Sequence, residues 1–159
     1  MIRLRKMQDG EFQDYLAYFI PDYAAEISSN YDVEMKVARA RAEQEVEEDL
    51  GQGVESPGQD LFCIVSDEAR VVGYFWCKPG VGGETVFISD FCILPSYRGQ
   101  GYAKLALAAL EAEYAGAGHS DIRFRMAADN ERAHHLYLAA GFHVTGVNMR
   151  KSIPAERSQ

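Results

Sequence analysis

The sequence predicts one mixed α/β domain with an antiparallel meander at its centre. Three observations carry that expectation. The first is size: 159 residues, 47% of them apolar, suit a single hydrophobic core. The second is a run of three strand-forming stretches, residues 61–66, 70–77 and 85–93, separated only by short turn sequences. The third is the placing of helical patterns before and after that run, none of them between its strands.

In chain order, Ile2 to Met7 reads as a first strand. Asp9 can cap a helix on which Phe12, Tyr15, Leu16 and Phe19 recur at helical spacing, and Pro21 should interrupt it. A second helix is expected from about Asp32 to Leu50, with Val33, Val37, Ala40 and Val46 as its apolar stripe. Its Glu43, Glu45, Glu47, Glu48 and Asp49 form a solvated face that opposes the helix dipole and should fray the end. After a loop at residues 51–59 comes the meander, turning at residues 67–69 and 78–83. Gly101 to about Ala115 reads as a helix, and Ile122, Phe124 and Met126 alternate with Arg123 and Arg125 as a strand. Residues 130–140 form a short helix stopped by Gly141, and residues 142–145 and 147–152 form two last strands. The order is β, α, α, β, β, β, α, β, α, β, β, in one domain over residues 1–159 with a loose tail at 153–159.

Composition removes several classes of function. A net charge of −8 argues against a nucleic-acid partner, which would need a basic footprint, and gives at most a mild pull on cationic substrates. No apolar run approaches the ~20 residues of a membrane span, and the first residues lack the core of a signal peptide, so a soluble cytoplasmic protein with no membrane partner is expected. Cys63, Cys77 and Cys92 are odd in number and widely spaced, which suits buried free thiols. His119, His134, His135 and His143 have no metal-ligand spacing, and adjacent helical histidines diverge by about 100°, so no metal is expected.

The most informative stretch runs from Ile93 to Ala103, where a strand enters a glycine-rich loop that opens a helix. Glycine lets the backbone approach a ligand closely, and the first turn of a helix presents N–H groups and partial positive charge to an anion such as a pyrophosphate. Arg98 adds a full charge and Ala103 keeps the approach open. A plain glycine-rich turn competes with this reading. A P-loop fails for want of its Gly-Lys-Ser/Thr signature. A dinucleotide loop is weak: Lys104 stands where its third glycine belongs, Asp121 precedes its strand, and hairpins precede the loop.

Arg98-x-x-Gly101-x-Ala103 after a strand resembles the acyl-CoA-binding motif of the GNAT superfamily of N-acetyltransferases. A second block, Asn130-x-x-Ala133-x-x-x-Tyr137-x-x-x-Gly141-Phe142, is similar to the family's helix-and-strand motif that follows. The element order matches too, so the resemblance spans nearly the whole chain. It implies a mixed, mostly antiparallel central sheet flanked by helices, with a V-shaped splay between the fourth and fifth strands to hold the pantetheine arm. It implies acetyl-CoA as donor and direct transfer to a primary amine. Backbone amides near Phe91, Cys92 and Ile93 would polarise the thioester, and those of Arg98, Gly99, Gln100, Gly101, Tyr102, Ala103 and Lys104 would hold the pyrophosphate. Asn130 would sit beside the cofactor.

The resemblance also implies Tyr137 as the acid that protonates the leaving sulfur, with an aromatic that merely packs on the helix as the competing role. Asp90, beside the thioester strand, is the candidate base, directly or through water, because Ser89 stands where some relatives carry glutamate; a carboxylate capping nearby amides is the competing role. Arg123 and Arg125 share one strand face and read as solvated or salt-bridged, not catalytic. The acceptor, a small-molecule or peptide amine, would meet the tyrosines at 15, 18, 23 and 31, under the second helix as a lid. Tyr15 by itself fits the core stripe. A sensor or partner-binding module that binds acyl-CoA without turnover is the alternative. Dimers are common among such proteins, and the terminal strands offer an edge for pairing, which makes a homodimer a candidate assembly.

Overall fold

A computed structural model describes residues 1–80, 83–127 and 130–155. Strand β1 (Ile2–Lys6) leads into helix α1 (Asp9–Tyr31) and then α2 (Met35–Leu50). The meander follows as β2 (Asp60–Ser66), β3 (Val71–Pro79) and β4 (Thr85–Ile93). Helix α3 (Tyr102–Gly116), strand β5 (Asp121–Phe124) and helix α4 (Glu131–Ala139) complete the regular structure. The sheet order is β1-β2-β3-β4-β5; the first three pairings are antiparallel and β4 with β5 is parallel.

Two layers cover the sheet. On one face α1 and α2 bury Tyr15, Phe19, Val46 and Leu50 against Leu61, Cys63, Trp76 and Cys92. On the other, Ala106, Leu107, Leu110 and Tyr114 of α3 pack on Ile64, Phe75, Val86 and Ile88. Both faces of the central strands are therefore apolar, which explains why β2 and β3 are buried almost throughout.

Helix α1 starts one residue earlier than expected and does not stop at Pro21. Gln8 is its N-cap, in a capping box with Glu11, and Glu11 also takes both guanidinium nitrogens of Arg5 at 2.8 and 2.9 Å, tying β1 to the helix. That contact holds the Glu11 carboxyl down at about 2. Proline inside a helix costs roughly 3 kcal/mol. Here Ala24 and Ile27, beyond the proline, are buried against Ala38 and Ala42 of α2, and burial on this scale offsets the lost hydrogen bond. The chain turns at Asp32, whose left-handed backbone (φ 53°) ends α1, so α2 begins at Met35 and not at Asp32.

The stripe of α2 also differs from expectation. Ala38, Ala42, Val46 and Leu50, four residues apart, are buried, whereas Val37 and Ala40 face solvent. Small alanines let α1 and α2 approach closely. The acidic end does not fray: Lys78 reaches Asp49 at 2.8 Å while lying over the Trp76 ring.

Two further expectations need correction. Residues 142–155 adopt no regular structure, so the two last strands are not formed, and β5 stops at Phe124 short of Met126. Beyond Phe142 that segment has nothing to bury against, and Val144, Val147, Met149 and Ile153 are exposed. The turn expected at residues 78–83 falls partly on Val81 and Gly82, outside the described residues, as does the end of the 153–159 tail.

Candidate active site

The site is organised by the parting of β4 and β5. They pair from Thr85–Asp121 to Ile88–Phe124 and no further, although β4 runs on to Ile93. The break coincides with a bulge: Trp76 faces Asp90 and Cys77 faces Ile88, leaving Ser89 as the extra residue. Beyond the bulge, Leu94 N–H bonds to Val72 O at 2.8 Å, which fixes the alternation. The backbone groups of Cys92 turn to β3, and those of Phe91 and Ile93 turn into the open gap. The structure thus brings Phe91 and Ile93 to the gap. Cys92 points elsewhere: its thiol is buried under α1 beside Tyr18, and burial pushes it up to about 12, which unfits it as an acyl-carrying nucleophile.

At the far end of β4, Pro95–Tyr97 makes one 3-10 turn into the loop. Gly99 and Gly101 have φ of 74° and 83°, a region that favours glycine. A Cβ at either would meet no protein atom within 4 Å, so open space lies above both. Gly101 is the N-cap of α3. The amides from Gly99 to Lys104 donate to no backbone or side-chain acceptor among the described residues. Six unpaired donors at the positive end of a helix fit a pyrophosphate. Arg98 donates its Nε to Ile93 O at 2.9 Å, so it also bridges the loop to the gap. The Tyr97 and Tyr102 rings meet edge-on at 6.3 Å and brace the loop. Asn130 caps α4, accepting from Ala133 N–H at 3.2 Å, which gives it a structural role whatever else it touches.

Tyr137 of α4 stands between the parted strands, its ring 4.1 Å from Phe124 of β5 and 6.5 Å from Phe91 of β4, with Phe142 at 5.8 Å. Burial, reinforced by the charge of Asp90, pushes the phenol up to about 12. It therefore carries its proton at neutral pH and can donate it.

Asp90 lies on the α1 face of β4. Tyr15, fully buried, donates its hydroxyl to Asp90 Oδ2 at 2.8 Å. Burial raises the carboxyl to about 7, the Tyr15 bond opposes the rise, and the nearby charges of Asp22 and Glu26 add to it. A carboxyl poised there can take a proton from an ammonium near neutral pH. Tyr18 shares this face, donating to Asp22 at 3.3 Å and stacking on Tyr74 at 6.5 Å. Tyr15 is thus both core and site. Asp22 went unread in the sequence, where its four-residue spacing from Tyr18 was the available signal. Tyr31 is at the far end of α1, away from this group. Among the described residues no cluster of His, Cys, Asp or Glu is arranged to hold a metal, and no helix is long and apolar enough to cross a membrane.

Residues 23–142 match the model of the acetyltransferase (GNAT) family. YycN, an uncharacterized N-acetyltransferase of Bacillus subtilis, is 34% identical over 96% of this chain and 99% of its own. Its crystal structure superposes with a TM-score of 0.90 at 32% identity, covering 98% of this chain and 100% of that one. The spermidine N-acetyltransferase of Vibrio cholerae, solved with CoA and spermine, shares the fold at a TM-score of 0.63 and 18% identity, over 91% of this chain and 82% of that one. AAC(6')-Iy, solved with a CoA-acetylneamine bisubstrate analogue, does so at 0.62 and 16%, over 98% and 99%. With the family model spanning most of the sequence and the parted strands, glycine loop and tyrosine helix all in place, the chain belongs to the GNAT family and is an N-acetyltransferase.

Proposed function

We propose that the chain moves an acetyl group from acetyl-CoA to the primary amine of a small-molecule or peptide acceptor, by direct attack within a ternary complex. The observation that carries this reading is the placing of a carboxyl poised near pH 7 and a protonated phenol around one gap lined by backbone amides that β3 does not use. The neighbours solved with spermine and with an acetylneamine conjugate support a small cationic amine.

In this reading the amides of residues 99–104 hold the pyrophosphate, the Arg98 amide being spent on Pro95 O at 3.4 Å, and the donor's arm lies between β4 and β5. The thioester carbonyl accepts from the Phe91 and Ile93 amides, which are worth most where water is excluded. Asp90 takes a proton from the ammonium and frees its lone pair to attack. The carbon–sulfur bond breaks, and Tyr137 gives its proton to the leaving sulfur. A thiolate with pKa near 8.5 leaves acceptably unaided. Tyr137→Phe should therefore slow turnover about 10–100-fold without abolishing it or weakening acetyl-CoA binding.

The buried thiols of Cys63, Cys77 and Cys92 support a reducing, cytoplasmic setting. A homodimer belongs to the same proposal, because Val147, Met149 and Ile153 are 74%, 93% and 91% exposed on an unpaired segment that a second copy would cover. Light scattering should give twice the 17.7 kDa chain mass, and a monomer would refute it.

The function is tested by thermal stability with acetyl-CoA, CoA and NADH, followed by thiol release with spermidine, neamine and a peptide amine. Acetyl-CoA and CoA should stabilise and NADH should not, and thiol should appear only with an amine. Stabilisation with no thiol from any amine would favour the non-catalytic sensor.

A further inference from the structure

Ser89 is the extra residue of the β4 bulge, and its Oγ is one of two buried side-chain polar atoms without a hydrogen-bond partner among the described residues. Buried hydroxyls are normally satisfied, and leaving one bare costs about 1–3 kcal/mol. An orphan in a fold this ordered calls for a partner that the described residues do not supply.

The bulge says where that hydroxyl faces. Ile88 and Phe91 both pack with the core on the α3–α4 side. Two residues, Ser89 and Asp90, lie between them, and Asp90 is on the opposite face in contact with Tyr15 of α1. The extra residue thus allows Ser89 and Asp90 to share the α1 face, where strict alternation would have put them on opposite sides. It does so at the point where β4 leaves β5. The result is a hydroxyl beside the candidate base, at the edge of the gap.

We propose that Ser89 is an acceptor-binding residue: its Oγ receives a hydrogen bond from the reacting amine while Asp90 takes another. This inference rests on the proposed function. The ammonium has three N–H groups. One proton passes to the Asp90 carboxylate, giving a neutral amine and a carboxylic acid. The freed lone pair at first faces Asp90; a second N–H stays on Ser89 Oγ, and the amine pivots about that bond to bring the lone pair onto the thioester carbonyl. A relative with glutamate at this position would put a second negative charge here; serine offers a neutral acceptor that orients without competing for the proton.

The test compares wild type with Ser89→Ala and Ser89→Thr, using acetyl-CoA and whichever of spermidine, neamine and the peptide amine the wild type uses best. Ser89→Ala should lower kcat/KM for the amine roughly tenfold, mostly through KM, since a hydrogen bond to a charged group is worth about that factor. Ser89→Thr, which keeps the hydroxyl and suits a strand, should restore most of the loss. Ser89→Ala removes the bare hydroxyl and should leave the unliganded protein at least as stable as wild type, Ser89→Thr should match wild type, and the stabilisation by acetyl-CoA should not change in either variant. An unchanged amine KM in Ser89→Ala would overturn the proposal. So would a parallel loss of stability or of acetyl-CoA binding, which would assign the hydroxyl to the fold or the donor. A wild type that binds acetyl-CoA but releases thiol with none of the amines fails at the earlier step and takes this inference with it.

Discussion

Asp90→Asn should lower kcat/KM for the amine by about 10²–10⁴-fold and, at pH 8, make the protein harder to unfold. The two effects share one cause. Burial holds the Asp90 carboxyl at about 7, against an ordinary 3.8. Between those values the folded state binds more protons than the unfolded one, so this group's contribution to stability falls as pH rises from about 4 to about 7 and stays low above it. Asparagine removes the buried charge and can still accept from Tyr15. A gain of about 2 kcal/mol, or ~4–8 °C in Tm, is expected at pH 8 and little at pH 4. For the wild type the sign in activity is opposite: only the ionised carboxylate is a base, so kcat/KM should rise with pH through an inflection near 7. Asparagine should abolish that inflection. A variant with full activity would leave water as the base and Asp90 as a structural carboxylate.

Gly101→Val should remove donor binding while leaving the fold largely intact. The position has φ 83°, so any side chain is strained there by about 1–2 kcal/mol. The branched side chain would project into the open space above the loop, where no protein atom lies within 4 Å. That is the space assigned to the pyrophosphate. Saturating acetyl-CoA, at a hundred times Kd, stabilises a protein by about 2.7 kcal/mol. With Kd raised at least ~30-fold, the same concentration should stabilise the variant by no more than about 0.9 kcal/mol, while the unliganded Tm falls only a few degrees. An acetyl-CoA response equal to that of wild type would detach the loop from the donor.

Much of this was readable from the residues, and the failures have local causes. The meander was plain because turn residues punctuate strand-formers, and the bounds of β4 were read as they stand. The loop was legible because glycine at positive φ leaves a mark in the sequence that few other backbone states leave. Pro21 misled because helix propensity is local, whereas the packing of Ala24 and Ile27 on α2 is not. The expected stripe of α2 is right at Val46 and wrong at Val37 and Ala40, because half of the buried face is alanine, which hydrophobicity alone marks weakly. Residues 142–155 carry strand-like alternation without a neighbour to pair with, and alternation alone does not make a strand.

At the site, Asp90 and Tyr137 could be named from motif position. Their electrostatics could not: those of Asp90 depend on Tyr15, Asp22 and Glu26, more than sixty residues away in sequence, and those of Tyr137 on burial and on Asp90. A bulge leaves no reliable trace in a single sequence, so the place of Ser89 as its extra residue and the turning of the Phe91 and Ile93 amides away from β3 emerged only from the register.

The most direct test of the account is to incubate the protein with acetyl-CoA and a panel of primary amines, and follow both products. Free CoA thiol and an amine heavier by one acetyl group should appear in equal amounts, with both rates cut by Asp90→Asn. Thiol release without an acetylated amine, or neither product from any amine, would contradict it.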